Sequence, residues 1–179
     1  MRYSIYLTYI MFFLVAVFPA TVFAQTIAVA DADVIMNKSK AGMSIKDQLK
    51  EKKEAYQKEF EKMQSSLRDQ EGELLKKRGS IPPEEFQEKA QEFREVLAKE
   101  DTAFQKKRAD LDAAAQVALK ELQVKIGESI QAVAKEKELD FVIPKQGLLY
   151  ASAGQIDITK DVVEKLDKDV NRIDVKVGK

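Results

Sequence analysis

The chain has 179 residues, of which 45% are hydrophobic and 34% are charged, and its 30 basic residues balance its 30 acidic residues. It contains no Cys, His or Trp, which excludes a disulfide framework, a zinc finger and any catalytic pair that needs Cys or His. A conventional enzyme is therefore not expected, and neither is a metal or another cofactor. Formal neutrality also argues against nucleic-acid binding, which usually needs a basic excess.

The first 24 residues have the layout of a secretory signal peptide. Arg2 is followed by an uncharged apolar stretch over residues 3–24, with Pro19 near its end. Val22 and Ala24 are the small residues that a signal peptidase reads, so we expect cleavage to leave Gln25 as the first mature residue. The alternative is an uncleaved anchor, because the apolar stretch could just span a bilayer core of ~30 Å.

The next segments predict a long helical hairpin. A helix is expected from about Ser44 to Arg78, with cations in its last turn and Gly79 just beyond. The returning helix begins at Pro83, so the tip lies near residues 79–83. Both helices carry apolar residues at the 3.5-residue spacing of a coiled coil. The predicted arm seam is Leu49, Tyr56, Phe60, Met63, Leu67, Leu74, Phe86, Phe93, Leu97, Phe104 and Leu111.

Folding the hairpin about this tip predicts which residues face each other. Leu67 is expected opposite Phe93 and Tyr56 opposite Phe104. Three of the predicted layers are weak, namely Gln70 with Ala90, Phe60 with Glu100, and Lys53 with Lys107. We hypothesise that these layers let the arm bend; alternatively, the long side chains reach solvent and the arm stays straight.

Short apolar runs on both sides of the arm predict a small β-body. A strand is expected around Ile27 and Val29, and a β-hairpin from the runs on either side of Pro144–Gly147. Thr159 is the expected N-cap of a closing helix. So small a body is marginal alone, which favours a homo-oligomer held through it. Its predicted residues are Ile27, Val29, Phe141, Val142, Ile143, Leu148, Leu149, Tyr150, Ile158, Val162, Val163 and Leu166.

The predicted fold class is thus α+β but predominantly α, with about three short strands, a C-terminal helix and a long antiparallel coiled-coil arm. The expected division is a signal peptide at 1–24, a body at 25–43 and 119–168, an arm at 44–118 and a flexible tail at 169–179.

Several segments of this sequence resemble the Skp family of periplasmic chaperones, also called OmpH-like proteins. They are the signal peptide, the opening TIAVADADVIMNKSKAG, the Lys/Glu/Gln-rich hairpin and the closing DFVIPKQGLLYASAGQIDITKDVVEKLDK. The resemblance implies a homotrimer assembled through the β-body, with three helical arms around a cavity. It also implies a soluble periplasmic protein that holds unfolded outer-membrane β-barrel proteins without ATP, with only indirect membrane contact. The lack of a glycine-rich phosphate loop agrees with nucleotide independence.

A holdase needs apolar groups on its arms that the seam does not consume. Leu75, Ile81, Val96 and Ala103 lie off the predicted seam and are candidate client-binding residues, together with the cationic run Lys76, Lys77 and Arg78. The alternative is that the apolar residues serve ordinary helix packing and the cations only complement the helix dipole. A competing function is a structural spacer or adaptor, in the periplasm or anchored in the membrane by an uncleaved segment 3–24.

Overall fold

The computed structural model describes residues 25–152 and 154–178. The predicted signal peptide, residues 1–24, lies outside the described residues. The elements in chain order are β1 (Ile27–Ala30), α1 (Ala32–Lys38), α2 (Lys40–Lys77), α3 (Pro83–Glu136), β2 (Phe141–Pro144), a 3-10 turn (Lys145–Gly147), β3 (Ile156–Asp157) and α4 (Thr159–Asp169). The predicted fold class is confirmed, because long helices dominate and the described strands form one three-stranded sheet.

The sheet has β1 in the middle and is parallel throughout. Ile27 pairs with Phe141 on β2, and Ala28 pairs with Ile156 on β3. The predicted β-hairpin is therefore wrong: residues 148–150 form no strand, and the third strand comes from residues 156–157. Parallel strands need long crossover connections, and the whole helical arm is the crossover between β1 and β2.

Two side-chain caps start the first two helices. The Asp31 carboxylate accepts a hydrogen bond from the Val34 amide at 3.0 Å, and the buried Ser39 hydroxyl accepts one from the Gly42 amide at 3.2 Å. Only glycine fits at position 42, because a Cβ there would lie 1.7 Å from the Met36 carbonyl oxygen. Small size at this position lets α1 fold back against the first turn of α2.

The core lies where the base of the arm meets the sheet. Ile35, Leu122 and Leu166 are fully buried there. Ile45, Leu111, Ala114 and Ala118 are also part of this core, so it extends past the predicted boundary of the body into the arm. Leu111, which we assigned to the arm seam, is thus a core residue.

The segment between the sheet and α4 is fixed by polar contacts. Thr159 is not the N-cap of α4 but its first residue, and its hydroxyl accepts a hydrogen bond from the Asp31 amide at 2.9 Å. The Asp157 carboxylate accepts a hydrogen bond from the Thr159 amide at 2.9 Å and pairs with Lys145 at 2.9 Å. These contacts tie β3, the turn after β2 and the start of α4 to the end of β1.

The C-terminal tail packs on the protein, so the prediction of a flexible tail from Asp169 is wrong. Ile173 is 2% exposed and Val175 is 4% exposed. Both belong to the hydrophobic core, and the backbone of this segment hydrogen-bonds to Ser44 and Gln48 on α2.

Candidate functional site

The arm is a pair of long helices that touch along a narrow apolar seam. The chain reverses at residues 78–82, and the 38 residues of α2 span about 57 Å at 1.5 Å per residue. Residues 46–110 are all described, and none of them is buried. A two-helix arm leaves its apolar residues half-covered, because there is no third layer to enclose them.

The register of the arm differs from the prediction by one helical turn near its middle. The rings of Phe60 and Phe104 meet with centroids 4.4 Å apart, whereas the sequence pattern placed Phe60 opposite Glu100. Lys107 forms an ion pair with Glu59, rather than facing Lys53. Two of the three predicted weak layers, Phe60 with Glu100 and Lys53 with Lys107, therefore do not form. They give no reason to expect that the arm bends.

The predicted seam residues share one property: apart from buried Leu111 and exposed Leu97, they are half-buried. This holds for Leu49, Tyr56, Phe60, Met63, Leu67, Leu74, Phe86, Phe93 and Phe104. Shallow grooves open between the helices along the seam, one of them lined by Phe60, Met63, Leu67, Phe93 and Leu97. The seam thus offers apolar surface to the outside while it joins the two helices.

The predicted client-binding residues lie between the tip and the middle of the arm, and only some come together. Val96 and Lys77 line one groove near the tip, beside Leu74 and Phe93. Leu75 is 54% exposed but does not line that groove. Of the rest, Ile81 is half-buried in the turn, and Lys76, Arg78 and Ala103 are exposed.

The structure adds two residues that the sequence analysis missed. Val117 is 67% exposed and Val124 is 54% exposed, both on α3. They continue the seven-residue spacing of Val96 and Ala103, which places all four on one side of the helix. We call Val96, Ala103, Val117 and Val124 the α3 stripe. Val117 and Val124 are predictable from the sequence if the seven-residue spacing is continued from Ala103 through Asp110, which is half-buried.

The predicted body residues divide into two sets. Val29, Ile158, Val162 and Leu166 are buried within the chain, and Val142, Ile143, Leu148 and Val163 are half-buried. The exposed set is Ile27, Phe141, Leu149 and Tyr150, with Ile156 as a further member that the sequence analysis did not assign. Ile27 and Phe141 are paired neighbours in the sheet, and Leu149 is fully exposed. Exposed large apolar groups beside open sheet edges are typical of an association surface.

One carboxyl group in the body has a strongly shifted pKa. Hydrogen bonds from the Thr159 hydroxyl, from Lys145 and from the Thr159 amide lower the pKa of Asp157 from 3.8 to about 2. The Lys145 ammonium has a raised pKa for the same reason, because it donates a hydrogen bond to Asp157. This pair has a structural explanation, since it joins β3 to the turn after β2.

The geometry defines a protein that presents a long, partly apolar arm from a small folded base. A family model described as outer membrane protein (OmpH-like) matches residues 26–166. The chain therefore belongs to the OmpH-like family, as the resemblance indicated.

A solved structure shares this fold. A candidate outer membrane chaperone (OmpH-like) from Caulobacter crescentus CB15 is 17% identical, with a TM-score of 0.79 over 84% of this chain and 89% of that chain. No curated protein matches the chain. Within residues 25–152 and 154–178, no helix has both the length and the apolar character needed to cross a membrane.

Proposed function

We propose that the protein is an ATP-independent holdase chaperone of the periplasm, which binds unfolded outer-membrane proteins and prevents their aggregation. The observation that carries this proposal is the α3 stripe, a row of exposed apolar side chains along a long arm in a member of the OmpH-like family. The solved structure of the same fold belongs to a candidate outer membrane chaperone, which supports the same class of activity. A holdase needs weak apolar contacts over a large surface, and no reaction chemistry.

The proposed working form is a homotrimer assembled through the body. Among the described strands, the outer strands β2 and β3 each pair on one side only, and they expose the apolar side chains of Phe141 and Ile156. Association would cover these groups, which single soluble chains rarely expose together. Three arms from one base would then surround a cavity.

In this arrangement a client is held by many weak contacts. Leu75, Ile81, Val96 and Ala103 supply apolar contacts on the arm, and Lys76, Lys77 and Arg78 supply cations near its tip. Val117 and Val124 extend the apolar contacts toward the base. Three arms around one chain raise the effective concentration of such contacts, so retention does not need a tight site.

The test is a dilution assay on the purified protein. A urea-unfolded outer-membrane β-barrel is diluted with and without the chaperone, and aggregation is followed by light scattering. Val117→Asp combined with Val124→Asp should raise the chaperone concentration needed for half-maximal suppression of aggregation by about tenfold. The reason is that the two substitutions replace apolar contacts by charges. The matched control is Gln116→Asp with Gln123→Asp, which adds the same charges one residue earlier at exposed positions.

Loss of holding in both double variants, or in neither, contradicts the proposed role of the α3 stripe. Size-exclusion chromatography with light scattering reports the oligomer, and mass spectrometry of the N-terminus reports cleavage. A chain that retains Met1, fractionates with membrane and ignores the client supports the competing function, a membrane-anchored spacer.

A further inference from the structure

The C-terminal tail lies in the structure as an extended strand-like segment. Ile173 and Val175 point into the core, and Val177 is half-buried, while Asp174 and Lys176 are exposed. This alternation is the two-residue period of a β-strand with one apolar face. The tail lies beyond residues 26–166, the part of the chain that the family model matches.

Two polar side chains on α2 hold the backbone of this segment. The Gln48 amide donates from Nε2 to the Ile173 carbonyl at 2.8 Å and accepts at Oε1 from the Val175 amide at 3.1 Å. The Ser44 hydroxyl lies 3.3 Å from both the amide nitrogen and the carbonyl oxygen of Ile173. Contacts of this kind depend on an extended backbone and not on which side chains it carries, as in strand addition to a sheet edge.

The segment also adjoins the candidate functional surface. A groove between the tail and α3 is lined by Ala113, Ala114 and Val117 on the helix and by Ile173 and Asp174 on the tail. Val117 belongs to the α3 stripe. An extended chain bound where the tail lies would therefore lie beside Val117, one of the exposed apolar residues of the arm.

We propose that Ser44, Gln48 and the apolar core surface that Ile173 and Val175 cover, together called the tail site, bind extended segments with apolar residues at alternate positions. The tail fills the site as a built-in competitor, and a segment of an unfolded outer-membrane β-barrel displaces it. Strands of such barrels have this same alternation of apolar and polar residues. The inference rests on the proposed function, because it names where that client is bound.

Because the tail occupies the tail site, another segment binds there only if it can outcompete the tail. A tethered tail has an effective concentration in the millimolar range, so a short soluble peptide competes poorly with it. An unfolded barrel presents many alternating segments and also contacts the arms, so it can displace the tail. The tail site then discriminates a whole unfolded client from incidental peptides.

The experiment uses a fluorescent synthetic peptide with the sequence of residues 169–179 and follows its anisotropy. In the full chain, Ile173→Asp with Val175→Asp releases the tail, and this variant should bind the peptide at least about tenfold more tightly than the unchanged chain. The control variant is Asn171→Asp, which adds an acidic side chain to the tail at an exposed position outside the groove and should bind like the unchanged chain. Adding Gln48→Ala to the released variant should remove the gain.

An unfolded β-barrel client should displace the peptide from the released variant. In the unchanged chain the same client should reduce the hydrogen-exchange protection of the Val175 amide, a measurement that holds even if the released variant fails to fold. The inference is overturned if the folded, released variant does not bind the peptide, or if the client leaves the Val175 amide protected.

These results are separable from a failure of the chaperone itself. A client that is kept soluble without exposing the tail overturns the tail site and leaves the holdase proposal standing. A client that aggregates in the presence of the unchanged protein rejects the holdase proposal, whatever the peptide does.

Discussion

The base and the arm of this protein are stabilised in different ways. In the base, Ile35, Leu122 and Leu166 are fully buried, and the ends of helices and strands are fixed by side-chain hydrogen bonds. In the arm, residues 46–110 include no buried residue, and the helices meet through half-covered side chains and exposed ion pairs. The base is therefore stabilised by buried packing, whereas the arm is held by partly solvent-exposed contacts that are individually weak.

The largest expected difference comes from equal truncations in the two regions. Leu122→Ala should lower the free energy of unfolding by about 3–5 kcal/mol, because it opens a cavity in a fully buried site. Leu67→Ala on the half-buried seam should lower it by about 1 kcal/mol, since water already reaches this side chain. Urea unfolding followed by circular dichroism measures both. Equal losses would contradict the contrast between base and arm.

Two glycines allow the same comparison with an added methyl group. Gly42→Ala should destabilise the protein by about 2–3 kcal/mol, because its Cβ would collide with the Met36 backbone. Gly72→Ala in the arm meets nothing within 4 Å and should stabilise α2 by about 0.5–1 kcal/mol. Thermal unfolding midpoints should therefore move in opposite directions. A shared direction would show that the space around Gly42 is not as tight as described.

The sequence predicts the arm better than it predicts the base. Long helices and their turn follow from apolar spacing and from the Gly79 and Pro83 signals, which are local. The register between the two helices does not follow from local signals, because shifting one helix by a turn still keeps apolar residues on the seam. The sequence pattern therefore predicts Phe60 opposite Glu100, whereas in the structure Phe60 contacts Phe104. Part of the α3 stripe can also be predicted from the sequence, because Val96 and Ala103 begin the seven-residue spacing that leads to Val117.

The base was harder to predict because its pairings are distant along the chain. Leu149 and Tyr150 look like strand residues but are exposed in the single chain, while the third strand, Ile156–Asp157, is too short to show any periodicity. The tail was missed for another reason: chain ends are usually loosely held, and only the burial of Ile173 and Val175 reveals its docking.

The base should also respond to acid through Asp157. Because its folded-state pKa of about 2 lies below the ordinary 3.8, its carboxylate stabilises the folded protein fully above about pH 4, and this contribution is lost as the pH falls toward 2. The side chain is 39% exposed, so solvent screens the effect and Asp157→Asn should cost about 1 kcal/mol at pH 7. Urea unfolding at pH 7 and pH 2 measures it. If the variant and the unchanged chain differ equally at both pH values, the carboxylate charge is not the cause.

The smallest expected effect tests the register of the arm. Glu59 and Lys107 form an ion pair with side chains 54% and 43% exposed, so their coupling energy should be only about 0.2–1 kcal/mol. A double-mutant cycle with Glu59→Gln and Lys107→Gln measures it, and raising the salt concentration should weaken it. The control cycle pairs Lys53→Gln with Lys107→Gln, the contact expected from sequence spacing. Repulsion between Lys53 and Lys107, with no coupling between Lys107 and Glu59, would support the register predicted from the sequence. The weak layers that favour a bending arm would then be expected again.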